Sequence, residues 1–570
     1  MKTFVTIAAF VLSLATVAAQ RPANAPATAP SGTPPDSVFL EDLTWAEVRD
    51  LIKGGWTTVI IGTAGTEQKG PHMVDGEHKF VMNYAADKVA RAVGKTLVAP
   101  TIAYVPEGSW TNPGGHMGKP GTITLPDDRF LELLMSAGRS LKSGGFTTIL
   151  YLGESGGNQT GMRNAAARLT ELWKGEAKAF WIGDYYTKSH TDQTAYVTKN
   201  LGAEAAAGNH ANILDTSEMM AVNPAHVRPA RFAPGGGYQN SGVSGDPSKS
   251  TAALGQIFIQ IKVDNALAQI KGLMGGTIQP AAEQPARGGG AGGGNAGAAA
   301  AAAPATPPTP PPARPPTMDT APAGIAPTTP PDTVFIDELT WEETRDLMKA
   351  GKTTVIIPTG GTEKNGYHMT LGKHNAIVTY SANQMARTLK NALVAPPIQY
   401  VPEGNPDRQN AGAISLPSPA YDQLLDAAAR SLRAHGFKEI LFIGDSGGNQ
   451  AGMTAVAKTL NAEWAGQGVQ VFALTDYYEQ GRIDYRDWLL KEFKYDDTIV
   501  GSHAGISDTA QLLFVKPDAV RKDQIKPWGG PADSGVSGDP AKATVEIGRK
   551  GIEFKIAAAL KQYMAEKIQK

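Results

Sequence analysis

The sequence contains no cysteine. That excludes thiolate nucleophiles, Cys-ligated zinc and disulfide scaffolds together. An exported chain without disulfides must rely on its hydrophobic cores, which fits large domains and a bacterial envelope. Long apolar runs are missing too, because no segment beyond the first twenty residues is apolar enough to read as a membrane span. Neither sign of charge is in excess. Lys and Arg number 53 against 54 Asp and Glu, a formal net charge of −1. That balance argues against nucleic acid or an anionic membrane as a partner.

Residues 1–19 have the pattern of a secretory signal. Lys2 supplies a positive start, Phe4 to Leu14 an apolar stretch, and Val17-Ala18-Ala19 a small-residue cleavage site before Gln20. The apolar stretch is shorter than the roughly 20 residues a spanning helix needs. A periplasmic or secreted protein, free of the membrane after cleavage, is therefore expected.

The chain repeats itself. Pro34-Pro35-Asp36-Ser37-Val38-Phe39 returns as Pro330-Pro331-Asp332-Thr333-Val334-Phe335, and Leu43-Thr44-Trp45 as Leu339-Thr340-Trp341. Near the other end, Ser241-Gly242-Val243-Ser244-Gly245-Asp246-Pro247 returns as Ser534-Gly535-Val536-Ser537-Gly538-Asp539-Pro540. The period is far longer than that of a solenoid, so these are duplicated domains. The expected division is a short linker over 20–36, a first domain over 37–274, a Gly/Ala/Pro-rich linker over 275–330 and a second domain over 331–570. Within each copy, β-branched runs such as 57–61 and 147–152 alternate with helical patterns such as 79–93, 130–143 and 162–173. That alternation predicts α/β domains with a largely parallel sheet. Functional residues then belong on the loops after the strand ends.

Three polar motifs recur on such loops. The first runs Gly65-Thr66-Glu67-Gln68-Lys69-Gly70-Pro71-His72, then Asp75-Gly76-Glu77-His78. Its counterpart keeps Glu363, His368 and His374 but has Asn365 where Lys69 stands. Carboxylate and imidazole together on one loop suit a divalent transition metal. The second motif is Gly153-Glu154-Ser155-Gly156-Gly157-Asn158, recurring as Gly444-Asp445-Ser446-Gly447-Gly448-Asn449. It reads equally as a nucleophile elbow or as a glycine turn with a serine cap. The third places His210 ahead of Asp215, and His503 ahead of Asp508. Of ten histidines, six form matched pairs, and all six lie in these motifs.

These motifs, with Pro120-Gly121-Thr122-Ile123 and the late Gly-Asp-Pro, make each copy resemble the creatininase (creatinine amidohydrolase) family. The resemblance implies a three-layer α/β/α sandwich, metal-dependent hydrolysis of amides that are often cyclic, and frequent hexameric assembly. It also implies where two ions would bind: a Glu-x-His, an Asp nine residues after that His, and a His in the glycine turn. Here only Glu67 and Glu363 match. Lys69 or Asn365, His78 or His374, and Ser155 or Ser446 fill the other positions. A remodelled set of Glu67, His72, His78 and Glu154, or of Glu363, His368, His374 and Asp445, is the expected holder of one zinc or manganese ion. His210 and His503 are expected to shuttle protons in the hydrolysis of a small-molecule substrate.

Two alternatives accompany that reading. One is serine chemistry at Ser155 or Ser446, with His210 or His503 as base and Asp215 or Asp508 as orienter. The other is a binding protein without turnover. The two copies are expected to pair within the chain, with further homo-oligomerisation open to the pair. The first copy is expected to be the more active, because its loop carries Trp110 and His116. The second copy has Asp407 at the latter position, facing its pocket.

Overall fold

The computed structural model describes residues 36–232, 241–285 and 329–568. The expected signal segment, the first linker up to residue 35 and residues 286–328 of the second linker lie outside them.

In the first copy the helices are α1 (Trp45–Lys53), α2 (Glu77–Val93), α3 (Asp127–Ser143), α4 (Asn158–Leu172), α5 (Thr187–Leu201), α6 (Glu204–Ala207), α7 (Ile213–Val222) and α8 (Ala252–Met274). The strands are β1 (Thr58–Thr63), β2 (Thr96–Val98), β3 (Thr148–Gly153) and β4 (Lys178–Trp181). The sheet runs β2-β1-β3-β4 and every pairing is parallel. The second copy repeats this with β5 (Thr354–Thr359), β6 (Ala392–Val394), β7 (Glu439–Gly444) and β8 (Gln470–Ala473), in the order β6-β5-β7-β8. Its helices are α9 (Trp341–Lys349), α10 (Lys373–Leu389), α11 (Ser418–Ala434), α12 (Asn449–Glu463), α13 (Glu479–Phe493), α14 (Asp497–Val500), α15 (Ile506–Val515) and α16 (Val545–Ile568).

The topology fixes where a site can form. The chain leaves β1 for β2 on one side, then returns past it to β3 and β4 on the other. Right-handed crossovers in both directions place helices on both faces. A crevice opens where the directions diverge, at the carboxyl ends of β1 and β3. The interior of β1 is fully buried, at 0% exposure for Val59, Ile60 and Ile61, as a strand covered on both faces requires. The sequence reading placed β1 and β3 within two residues of their bounds; the short β4 was not anticipated.

The copies pair face to face, and one cluster of buried apolar side chains runs through both. Their contacts are reciprocal. The amides of Asp75 and Gly76 donate to the Leu339 and Asp337 carbonyls, and those of Leu371 and Gly372 to Leu43 and Glu41. Tyr104 donates to the Pro396 carbonyl and Tyr400 to that of Pro100, each at 2.5 Å. Thr44 and Thr340 begin α1 and α9 with capping boxes closed by Glu47 and Glu343. Those two carboxylates also accept from Arg521 and Arg228 of the opposite copy. The recurring Leu-Thr-Trp motif thus serves the interface: Trp45 packs on Tyr367, and Trp341 donates to the Ser241 carbonyl.

Chain beyond residue 274, within the expected linker, contacts the first copy. Residues 282–284 lie on α4, where Arg163 donates to the Ala282 carbonyl, Asn164 to that of Gln284, and Arg168 pairs with Glu283.

Candidate active site

In the first copy the loop after β1 carries Glu67 into the crevice, and α2 begins with Glu77 and His78 beneath it. The Lys69 ammonium lies at the centre of this group. It donates to His78 Nε2 at 2.6 Å and stands 3.1 Å from Glu67 Oε1, 3.2 Å from Glu77 Oε2 and 3.4 Å from Asp215 Oδ2. Lys69 is 1% exposed. Burial alone would discharge it, but Asp215, Glu77 and Glu67 hold its pKa well above the usual lysine range. Burial likewise opposes ionisation of Glu67, yet attraction to His116, Lys69, His78 and His210 holds its pKa well below the usual range.

Above Glu67 lie two imidazoles and a second carboxyl. His116 Nδ1 is 3.4 Å from Glu67 Oε2, and His210 Nδ1 is 3.7 Å from Glu67 Oε1. His210 Nε2 is 2.7 Å from the Gln68 carbonyl, which only accepts, so the ring hydrogen sits there and Nδ1 keeps its lone pair toward Glu67. Burial and the Lys69 charge lower the His210 pKa to about 4, which leaves the ring neutral at pH 7. The backbone that aims this ring is unusual: Ala211 has φ +52°, a left-handed conformation costly for alanine, and Ala504 repeats it behind His503. Glu107 is buried beside Glu67, and burial plus that neighbouring charge push its pKa well above the carboxylate range.

The second copy reproduces the carboxyl pair. Glu403 is pushed up to about 8 by burial and by Glu363, whereas Glu363 is held down at about 2, mainly by its bond from His374 against the cost of burial. His374 bridges two carboxylates, with Nε2 2.7 Å from Glu363 Oε1 and Nδ1 2.7 Å from Asp445 Oδ2. Burial and Lys373 oppose its charge, but those two bonds raise its pKa to about 9, so it is an imidazolium. The site is more open: the Glu363 side chain is 20% exposed against 3% for Glu67. A cavity of about 500 Å³ leads to it, lined among others by Glu363, Lys373, His374, Tyr478, Arg482 and His503.

The other expected residues are held by further partners. Glu154 accepts from Lys262 at 2.7 Å and from Tyr185, and Asp445 accepts from Lys555 at 2.7 Å, both lysines coming from the last helix of their copy. His72 and His368 bond to Thr216 and Thr509 at 2.9 and 2.7 Å, below the crevice. Burial lowers their pKa values to about 3 and 4. Ser155 and Ser446 accept from the amides of Gly157 and Gly448. That geometry is the turn-capping alternative, and no hydrogen bond among the described residues joins either serine to His210 or His503. The glycines are needed for close approach: a Cβ on Gly157 would lie 2.3 Å from the Pro106 carbonyl oxygen, and one on Gly448 1.9 Å from that of Pro402. Asp407 corrects an expectation. It pairs with Arg139 of the first copy instead of facing the second pocket.

The donor set decides what metal the site suits. The two-ion pattern implied by the resemblance does not fit. An ammonium fills the middle of the first copy, Asn365 braces its own loop by donating to the Glu363 carbonyl, and both serines cap a turn. His374 has both nitrogens committed to carboxylates. Two trios in the first copy have ligand atoms within 4.8 Å of one another: Glu67, His78 and Glu107, where the Lys69 ammonium already occupies His78, and Glu67, His116 and His210, which suits a single ion. His116 Nδ1 faces Glu67 Oε2 at 3.4 Å and His210 Nδ1 faces Oε1 at 3.7 Å, so each imidazole meets its own carboxylate oxygen across a gap near the roughly 3.4 Å between donors on tetrahedral zinc. Glu67 Oε2 is buried and has no hydrogen-bond partner among the described residues. Glu363, His374 and Glu403 also cluster within that span, but only through the bridged His374.

Each copy is similar to known proteins. A sequence profile of the creatininase family, described as creatinine amidohydrolase, matches residues 41–270 and again 337–563. The chain is 26% identical over 191 residues to 3-dehydro-scyllo-inosose hydrolase of Thermotoga maritima, covering 33% of this chain and 58% of that enzyme. It is 24% identical over 204 residues to the creatinine amidohydrolase of Pseudomonas putida, covering 34% and 75%. A mycofactocin precursor peptide peptidase of Mycolicibacterium smegmatis is 25% identical over 218 residues, covering 34% and 78%. Among solved structures, a manganese form of creatininase aligns at 21% identity and TM-score 0.34, covering 41% of this chain and 99% of that one. A Zn–Zn form of a creatininase variant aligns at 22% and 0.33, covering 41% and 98%. With the profile matched twice over most of its length, the chain belongs to the creatininase family of hydrolases.

Proposed function

We propose that the protein is an exported hydrolase that opens the C–N bond of a small amide, and that the first copy carries the turnover. The observation behind this reading is the carboxyl pair Glu67 and Glu107, pushed in opposite directions, beneath two imidazoles. Paired acids with separated pKa values are how one pocket supplies both a proton donor and a base. Glu107, kept protonated, donates to the leaving nitrogen. The ionised Glu67, through an oxygen that does not hold an ion, takes the proton from the attacking water, while His210, neutral with its Nδ1 lone pair toward Glu67, is left to ligate. His116 stands above them, and Trp110 on the same loop would shield the crevice from bulk water. Glu67, His116 and His210 would hold one zinc or manganese ion, which when bound supplies a Lewis acid next to the substrate carbonyl. The relatives named for amide or peptide hydrolysis support the amide class.

The second copy suits binding without turnover. It lacks a counterpart of His116, its bridged His374 is committed to two carboxylates, and its cavity is the open one. The test is turnover of a panel of small cyclic amides and short peptides by the full chain. Glu67→Gln should lower turnover by about 100-fold or more while Glu363→Gln leaves it near wild type. Equal losses from both would refute the assignment to one copy.

A further inference from the structure

Asn365 stands in the second copy where Lys69 stands in the first, so the sequence offers no lysine at that position. The structure shows a lysine at the same place in both. Lys373 stands where the sequence aligns it with Glu77, in the first turn of α10 instead of the loop after β5. Its Nζ nevertheless lies 3.1 Å from Asp508 Oδ2 and 3.6 Å from Glu363 Oε1. These carboxylates match Asp215 and Glu67, which receive Lys69 Nζ. Both lysines are 1% exposed. Two stems thus start from different elements and deliver one ammonium each to the same pair of acids.

We infer that a lysine ammonium is the resident cation of the inner position in both copies, standing where the family pattern calls for a metal ion. The exchange between copies carries the argument. Where position 69 is lysine, position 77 is glutamate; where 365 is asparagine, 373 is lysine. Two lysines would set two ammonium groups against each other, and none would leave the Glu67–Asp215 or Glu363–Asp508 pair without its shared cation. Each copy keeps one. The ammonium carries a single fixed charge and no open coordination position, so its part is to keep Glu67 or Glu363 ionised and in place. It acts as a positioning group and not on substrate.

This inference does not rest on the proposed amide substrate, and its test reads stability and metal content, not turnover. The full chain carries Lys373→Glu alone, or Lys373→Glu with Asn365→Lys, which moves the first-copy arrangement into the second. Thermal unfolding in chelator should show a loss for the single variant and recovery of at least half of it in the swap. A single variant as stable as wild type, or a folded swap with no recovery, overturns the inference. Separately, Glu67→Gln/His116→Ala removes the trio able to hold an ion in the first copy. After incubation with manganese or zinc and gel filtration, that variant should carry no stoichiometric ion. One ion or more per chain overturns the inference whatever the swap does, and if neither lysine variant folds, this count decides alone.

Discussion

Raising the pH from about 6 to 9.5 should weaken the second copy through one side chain. His374 has its pKa raised to about 9 by the bonds to Glu363 and Asp445, against about 6.5 in an unfolded chain. A group raised on folding contributes stability that is full below the unfolded value and is lost as pH climbs through the folded one. The difference of roughly 2.5 units corresponds to about 3 kcal/mol at low pH, an order-of-magnitude figure. For a unit of this size that is about 6–12 °C in Tm if the second copy unfolds by itself. The equivalent His78 behaves in the opposite sense. Burial and Lys69 hold its pKa well below the usual value, so its contribution is present above about pH 6.5 and lost as pH falls. The assay compares Tm against pH for wild type and His374→Gln. Their separation should be largest at pH 6 and shrink to the pH-independent packing loss by pH 9.5. A separation that stays constant across that range, or widens with pH, would refute the imidazolium bridge.

Chelation should remove no more than one ion per chain, and elemental analysis of Glu67→Gln should find no stoichiometric ion. Gly448→Ala should cost about 1–3 kcal/mol by driving a Cβ into the Pro402 carbonyl, measured by denaturant unfolding. Arg228→Ala should destabilise by about 3 kcal/mol and Arg521→Ala by about 1, because Glu343 is 2% exposed where Glu47 is 21%. Equal losses would mean that the two halves of the interface are not energetically distinct. His116→Ala should lower turnover while leaving Tm within about 1 °C, since the ring is a partly exposed loop side chain.

Periodicity and repetition made the scaffold legible. Paired strands and amphipathic helices leave a pattern that survives divergence, so the two domains and their loops could be placed from residues alone. The site was harder to read. Glu107 and Glu403 recur in Val105-Pro106-Glu107-Gly108 and Val401-Pro402-Glu403-Gly404, a signal that was available, but a lone glutamate after a proline reads as a solvated loop. Lys262 and Lys555 sit at matched positions in α8 and α16, where a lysine ordinarily lies on the solvated face. Lys373 opposite Glu77 reads as drift, because alignment compares stems and not the points where side chains end. Only coordinates reveal that two lysines from different elements reach one spot. Asp407 shows the converse error: a position read as facing the pocket is turned by its loop toward Arg139.

The reciprocal amides have a consequence for how the two halves can change. Asp75 and Gly76 lie just ahead of the helix that carries His78, and their donors end on carbonyls of the other half; Leu371 and Gly372 do the same in reverse. Each pocket is therefore braced from outside its own fold. In an assembly of identical subunits, every substitution would appear in both the pocket and the brace of its neighbour. Fusion into one chain separates the two duties. The second half is free to lose an imidazole such as the one at 116 and take on another use for its cavity, so long as residues 337–339 keep the shape that its twin leans on.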